Sequence, residues 1–170
     1  QSRQLIRRAL RANPEARQLS GDLDTINKAA RLGYLASRLQ TIIESQRDLA
    51  DRLSTAVPEN DTPVDRPRLE TLGAEQRGLE ADLRNTVSDL ALAVSESRKA
   101  LPKMSASGAR LVAAAKGLAA WDDQAAAANA CPARPKAAAV SAETAARKLE
   151  TLLSECQGTA DGMSDELDGC

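Results

Sequence analysis

The sequence predicts an all-α protein: a long, coiled-coil-like antiparallel helical hairpin with a shorter alanine-rich helical pair, together forming an elongated bundle. The first observation is two apolar stripes spaced alternately by three and four residues, because such a stripe lines one helix face and needs a partner helix. The second is that the two stripes match when the chain reverses near Asp61. The third is composition: alanine and leucine dominate, phenylalanine is absent, and Tyr34 and Trp121 are the only aromatic residues. Sheets and ligand-stacking pockets are therefore disfavoured.

Residues 1–19 are predicted to form a short basic helix or arm. The segment 1–20 carries a net charge of +4, and apolar side chains alternate with its arginines at helical spacing. Asn13 and Pro14 are expected to end this helix. Three roles stay open: docking on the bundle, continuing upstream as a helix that leaves a membrane, or lying on an anionic lipid surface.

Residues 20–100 are predicted to form the long hairpin. Its first helix is expected to begin at a cap made by Ser20, Gly21 and Asp22 and to end near Ala56. Its second helix is expected to run from about Arg66 to Lys99. Asp65 is expected to cap the second helix. The two helices are separated by proline and turn residues: Pro58, Asn60, Asp61, Pro63 and Pro67.

The register of the hairpin follows from the two stripes. Residues whose numbers sum to 122 are expected to face each other: Leu53 with Leu69, Gln46 with Gln76, Leu39 with Leu83, Leu35 with Val87, and Leu32 with Leu90. Leu23, Ile26 and Ala29 are expected to extend the first stripe toward the N-terminus. Gly73 and Gly78 each cost about 1 kcal/mol in a helix interior, which suggests close approach of a neighbouring backbone.

Residues 101–158 are predicted to form the alanine-rich helical pair, after a break at Pro102. One helix is expected over about Lys103 to Ala120 and the other over about Lys136 to Gln157, with the turn within residues 121–135. Gly158 is expected to end the last helix. Residues 159–170 are predicted to be an acidic flexible tail, because residues from Glu155 onward include no lysine or arginine.

Gln46 and Gln76 occupy positions where the repeat calls for an apolar residue. If they meet in the core, a self-bonded amide pair would fix the register at some cost in stability. Two alternatives stay open, a ligand contact in the groove and two surface glutamines at an offset seam.

The cysteines give no metal or disulfide pattern. Cys131, Cys156 and Cys170 form no C-x-x-C pair, and the chain has no histidine, so a zinc site is not expected. A helix between Cys131 and Cys156 would separate them by roughly 30 Å, far beyond disulfide reach. Cys156 and Cys170 could meet through the tail, so the compartment stays undetermined.

A repeated motif, Q-R-x-L-x-x-x-L, begins at Gln46 and again at Gln76, and is followed by L-P-K-M at Leu101 and L-A-A-W-D-D-Q-A at Leu118. This arrangement over about residues 35–155 resembles the repetitive helical region of large, uncharacterised, membrane-anchored bacterial proteins. The resemblance implies that an anchor precedes Gln1 and that the helices belong to an elongated assembly. The resemblance implies no particular activity.

No catalytic, cofactor-binding or metal-binding residue is predicted. Histidine, a phosphate-binding glycine loop and the common metal motifs are absent. Asp122 and Asp123 suit the start of a helix better than a cation site. Trp121 is expected to close the end of the core, with a partner anchor as the alternative.

The predicted function is a non-enzymatic structural or protein-interaction module, a segment of a larger protein. The alternative is an extramembrane bundle that relays a signal from an upstream membrane anchor. A protein partner or self-association is expected. Binding to nucleic acid is not expected, because the sequence lacks a long basic face with interleaved aromatic residues. Membrane contact is expected only through an anchor outside this segment or weakly through the basic N-terminal helix, since no stretch of 18 apolar residues exists.

Overall fold

The computed structural model describes residues 14–57 and 64–167, and in the last helix it describes side chains as far as residue 154. Five α-helices and no strand occur in this described part of the chain, which confirms the all-α prediction. The helices are α1 (Pro14–Thr55), α2 (Arg66–Ser97), α3 (Pro102–Leu118), α4 (Ala120–Ala130) and α5 (Pro135–Leu167). Of the basic segment predicted over residues 1–19, residues 1–13 lie outside the described residues, as do the turn residues 58–63, whereas residues 14–19 belong to α1.

The hairpin of α1 and α2 has the predicted register. Gln46 and Gln76 exchange side-chain hydrogen bonds across the interface, and further along the same seam Arg38 pairs with Asp82. The predicted leucine and valine partners are all buried. Asp65 caps α2 by accepting a hydrogen bond from the Arg68 backbone N–H at 3.1 Å, so the predicted cap is confirmed.

The start of the first helix was predicted wrongly. Because α1 already includes Pro14, Ser20, Gly21 and Asp22 lie within the helix and do not cap it. A single interior glycine costs only about 1 kcal/mol, too little to stop a helix of this length.

The second half of the chain completes a four-helix bundle. After the predicted break before Pro102, α3 and then α4 run antiparallel to α2, as shown by contacts at both ends: Gly108 against Val94, and Cys131 against Gly73. Helix α5 returns antiparallel to α1, with Arg47 beside Glu143. Two end-to-end helices thus share one position of the bundle.

The predicted alanine-rich pair is therefore three helices. A break at Ala119, where φ is 46° and ψ is 41°, separates α3 from α4. The predicted turn within residues 121–135 is correct only for 131–134. Helix α5 also continues through Gly158 to Leu167, so Gly158 does not end it and most of the predicted flexible tail has a helical backbone. No proline follows Gly158 to enforce a stop.

Two apolar clusters fill the bundle. The leucine-rich cluster contains Leu32, Leu35, Leu39, Ile42, Ile43, Leu83, Val87, Leu90, Ala93, Val94, Leu101, Met104, Leu111, Val112, Ala115, Ala120, Leu149 and Leu152. The alanine-rich cluster contains Leu49, Ala50, Leu53, Leu69, Leu72, Ala127, Ala130, Ala138, Ala142 and Ala146. Among the described side chains, α4 and α5 contribute only alanines to the buried residues of the second cluster, and these short side chains allow the helices to pack closely.

Candidate functional site

A layer of three glutamine side chains crosses the bundle between the two clusters. Gln46 of α1, Gln76 of α2 and Gln124 of α4 are each 0% exposed. Helix α5 contributes the backbone carbonyl of Ala142, which is within reach because the alanine side chain is short. Every helix position of the bundle thus contributes one group to this glutamine layer.

Gln46 is the hub of the layer. Its Nε2 donates to Gln76 Oε1 and to the Ala142 carbonyl, both at 3.2 Å. Its Oε1 accepts from Gln76 Nε2 at 2.8 Å and from Gln124 Nε2 at 2.9 Å. Both donors and both acceptor positions of this amide are therefore used. The predicted amide pair is confirmed, and the surface position considered as an alternative is wrong.

Gln124 is the member that sequence reasoning missed. It lies in the alanine-rich stretch that was assigned partly to a turn, and no apolar repeat marks its position there. The available signal was weak: it is the one glutamine within a run of alanines. Its Oε1 has no hydrogen-bond partner, so the layer is not fully satisfied at this helix.

The glutamine layer is better suited to fixing how the helices align than to binding a ligand. A buried amide network favours the one alignment of helices in which its members meet, since any slip would leave buried polar groups unpaired. Its groups are neutral, fully buried and occupied by one another, apart from the Gln124 carbonyl oxygen. The ligand-contact alternative for Gln46 and Gln76 has no opening in this layer through which a ligand could approach.

Gly73 and Cys131 mark the closest approach of α2 to the turn after α4. A Cβ atom added at Gly73 would lie 2.9 Å from the Cys131 Cβ, whereas one added at Gly78 would meet nothing within 4 Å. Close approach is therefore confirmed at Gly73 and wrong for Gly78. Cys131 is a half-buried free thiol. Burial raises its pKa and a nearby Arg77 opposes this only in part, so the thiolate form is disfavoured.

Trp121 lies beside the break at Ala119 and not at an end of the core as predicted. It is half-buried and packs against the leucine-rich cluster. The guanidinium of Arg84 lies over its ring at 5.3 Å from the centroid, a favourable cation–π arrangement. The Trp121 ring is therefore in contact with other residues of the bundle on its buried side and with Arg84.

Asp122 and Asp123 belong to the first turn of α4 and point to different neighbours. Asp122 Oδ1 lies 3.4 Å from Arg84, and Asp123 Oδ2 accepts a hydrogen bond from Lys148 at 2.6 Å. The carboxylates therefore link α4 to α2 and to α5. Their negative charge also stabilises the N-terminal end of α4 through the helix dipole. Within the described part of the chain, no group of three or more acidic, cysteine or histidine residues could hold a metal ion.

An exposed apolar stripe lies on the first turns of α1. Leu19, Leu23 and Ile26 are 64%, 60% and 61% exposed, although Leu23 and Ile26 were predicted to continue the buried stripe. The register places Ser97, the last residue of α2, near Thr25, so the beginning of α1 extends past the end of its hairpin partner. These three leucine and isoleucine residues are called the exposed stripe below.

A groove follows the outer seam of the hairpin, away from α4 and α5. It encloses about 570 Å³ and is lined from α1 by Glu44, Ser45, Asp48, Leu49 and Arg52, and from α2 by Glu75, Gly78, Leu79 and Asp82. Arg52 spans it, donating to the Glu75 carboxylate at 2.7 and 3.0 Å. These hydrogen bonds raise the pKa of the guanidinium above its ordinary value. This surface is called the hairpin groove below.

Comparisons with known proteins add no relative. No protein-family model, no curated protein and no solved structure matches the chain. The resemblance to membrane-anchored bacterial proteins therefore stays a prediction. Among the described helices, none is both long enough and apolar enough to cross a membrane.

Proposed function

We propose that the chain is a non-enzymatic structural and protein-interaction module, a rigid four-helix bundle that presents the beginning of α1 to a partner helix. The observation that carries this proposal is the exposed stripe. Leu19, Leu23 and Ile26 follow the spacing of a helix-packing seam, yet more than half of each side chain is exposed. Such a row of apolar side chains on a protruding helix is a surface for a second helix.

The interior supports the same proposal. The bundle is filled by apolar side chains and the glutamine layer, and many charged side chains of the described part pair on the surface, as Arg38 does with Asp82 and Lys148 with Asp123. The core formed by the described residues holds no converging titratable groups, which suits a load-bearing or spacing element better than an acid–base catalyst.

Site-specific photo-cross-linking tests the proposal. A photoreactive amino acid at Leu23 should give one or a few protein adducts of defined mass in cells that produce the chain, because a partner helix covers this position. The same probe at Ser54, an exposed residue near the other end of α1, is the matched control. Equal labelling at both sites, or none at Leu23, would contradict the proposal.

A signal-relaying extramembrane bundle is the second candidate. It is favoured by the break at Ala119 together with the glutamine layer, which divides the core into two separately packed halves. Packed elements with alternative arrangements are the physical basis of such relays. The candidate requires hydrophobic spans before Gln1, so reading the coding sequence upstream decides it.

A further inference from the structure

The hairpin groove has an apolar floor and acidic walls. Leu49 is buried and Leu79 is half-buried at its base, and Gly78 between the walls leaves open space where a side chain would otherwise stand. Among the described helices, only α1 and α2 line this seam, because α4 and α5 pack on the other side of the hairpin. The groove is therefore an unpartnered face between two rigid helices.

Negative charge dominates the walls. Four carboxylates line the groove against one cation: Glu44, Asp48, Glu75 and Asp82 against Arg52. Arg52 is already paired with Glu75 and Asp48, and Asp82 is paired with Arg38 beside the groove. Glu44 accepts a hydrogen bond from the neutral Gln40 amide at 3.1 Å and has no lysine or arginine partner among the described residues. A cationic apolar ligand would complement both the floor and the walls.

We propose that the hairpin groove binds the arginine-rich segment 1–13 of a second copy of this chain. That segment carries four arginines, no acidic residue, and apolar residues at helical spacing: Arg3, Arg7, Arg8 and Arg11 with Leu5, Ile6 and Leu10. At 100° per residue, Arg3 and Arg8 flank the apolar arc, so a helix seated on Leu49 and Leu79 would direct arginines to both acidic walls.

As a helix, the segment cannot reach the groove of its own chain. The near end of the groove, at Asp82 and Glu44, lies about 40–45 Å along α1 from Pro14 at 1.5 Å per residue. A helix of thirteen residues spans only about 20 Å. The complementary groove must therefore belong to another copy, and the contact joins one end of one molecule to the far half of the next.

A charge-exchange experiment on the full chain tests this. Sedimentation equilibrium at low salt should show self-association of the wild-type chain that weakens at high salt, because the contact is largely electrostatic. Glu44→Lys with Asp48→Lys reverses one wall, and Arg7→Glu with Arg8→Glu reverses the segment. Each double variant alone should associate at least about tenfold more weakly than wild type.

The decisive sample is an equimolar mixture of the two double variants. The native segment of one meets the native groove of the other, and the reversed segment meets the reversed groove, so the mixture should associate within about threefold of wild type. Glu70→Lys with Asp89→Lys is the matched control, since both are exposed residues of α2 outside the groove and change the net charge equally. Circular dichroism checks that every variant folds.

Four results would overturn the proposal: a wild-type chain that stays monomeric at low salt, a control that weakens association as much as the groove variant, a mixture that does not assemble, or an effect confined to the arginine variant. In the last case, loss of binding to vesicles containing anionic lipid would assign the segment to a membrane surface.

Discussion

At the scale of single residues, Gln46 carries the glutamine layer because it alone uses all four of its hydrogen-bonding positions there. Replacing it with leucine leaves three buried polar atoms, Gln76 Oε1, Gln76 Nε2 and Gln124 Nε2, without these partners. We expect Gln46→Leu to lower the free energy of unfolding by about 2–4 kcal/mol. Urea denaturation followed by circular dichroism measures it.

Gln124→Leu is the natural control, because it removes one hydrogen bond together with an acceptor that has no partner. Its cost should stay within about 1 kcal/mol. The triple leucine variant should be more stable than Gln46→Leu alone, since no buried amide remains. If Gln46→Leu and Gln124→Leu cost the same, Gln46 is not the hub of the network.

Gly73 and Gly78 make a second matched pair within one helix. Alanine at Gly78 should stabilise the chain by about 0.5–1 kcal/mol, because it improves helix propensity where space is open. Alanine at Gly73 should destabilise it by about 1–2 kcal/mol, because its Cβ would lie 2.9 Å from the Cys131 Cβ and force the α4–α5 turn outward. Thermal unfolding distinguishes the signs, and stabilisation by both changes would exclude a tight contact at Gly73.

At the scale of helices, the backbone at Ala119 separates α3 from α4. A left-handed conformation costs an L-residue about 1–2 kcal/mol, whereas glycine adopts it without that penalty. We expect Ala119→Gly to raise the free energy of unfolding by about 0.5–1 kcal/mol. The control is Ala113→Gly at an exposed position inside α3, which should lower it by about 1 kcal/mol. Denaturant titrations should show opposite signs, and a loss of stability in both would mean that Ala119 is helical in solution.

The same break shows where sequence reasoning succeeds and where it stops. In α1 and α2, leucines at alternating spacings define one face, so the register and the Gln46–Gln76 contact could be predicted from spacing alone. From Val112 to Ala146, 17 of the 35 residues are alanine. Alanine favours a helix but marks no face, because it can be buried or exposed at little cost. The break at Ala119 and the buried position of Gln124 therefore had no periodic signal.

The ends of helices were harder to predict for a related reason. The side chains at Ser20 and Asp22 are suited to capping a helix, and glycine, as at Gly158, often follows the last residue of a helix. A cap contributes only about 1 kcal/mol to the stability of a helix. A helix that is already formed gains one backbone hydrogen bond for each residue by which it continues, and this outweighs an internal capping signal even at the exposed beginning of α1. A local signal therefore ends a helix only where continuing the helix is itself unfavourable, as it is at a proline.

At the scale of the whole molecule, the two clusters should differ in local stability. The leucine-rich cluster binds α1, α2, α3 and α5 together through large side chains, whereas α4 contributes only alanines to the other cluster. Less apolar area is buried per residue there, and α4 has only 11 residues between a break and a turn. We expect its amides to exchange by partial opening, at least about 2 kcal/mol below the opening free energy of α2 near Leu83.

Native-state hydrogen exchange measures this difference, and a pair of variants localises it. Ala126→Gly, at an exposed position of α4, should speed exchange of the α4 amides about fivefold, which corresponds to about 1 kcal/mol of helix propensity, and leave the amides near Leu83 unchanged. Ala113→Gly in α3 should not accelerate α4 selectively. Because Gln124 belongs to α4, such opening would also break its bond to Gln46 and separate the glutamine layer from one of its helices. Equal opening free energies for α4 and α2 would show that the bundle unfolds as one cooperative unit despite the contrast between its two clusters.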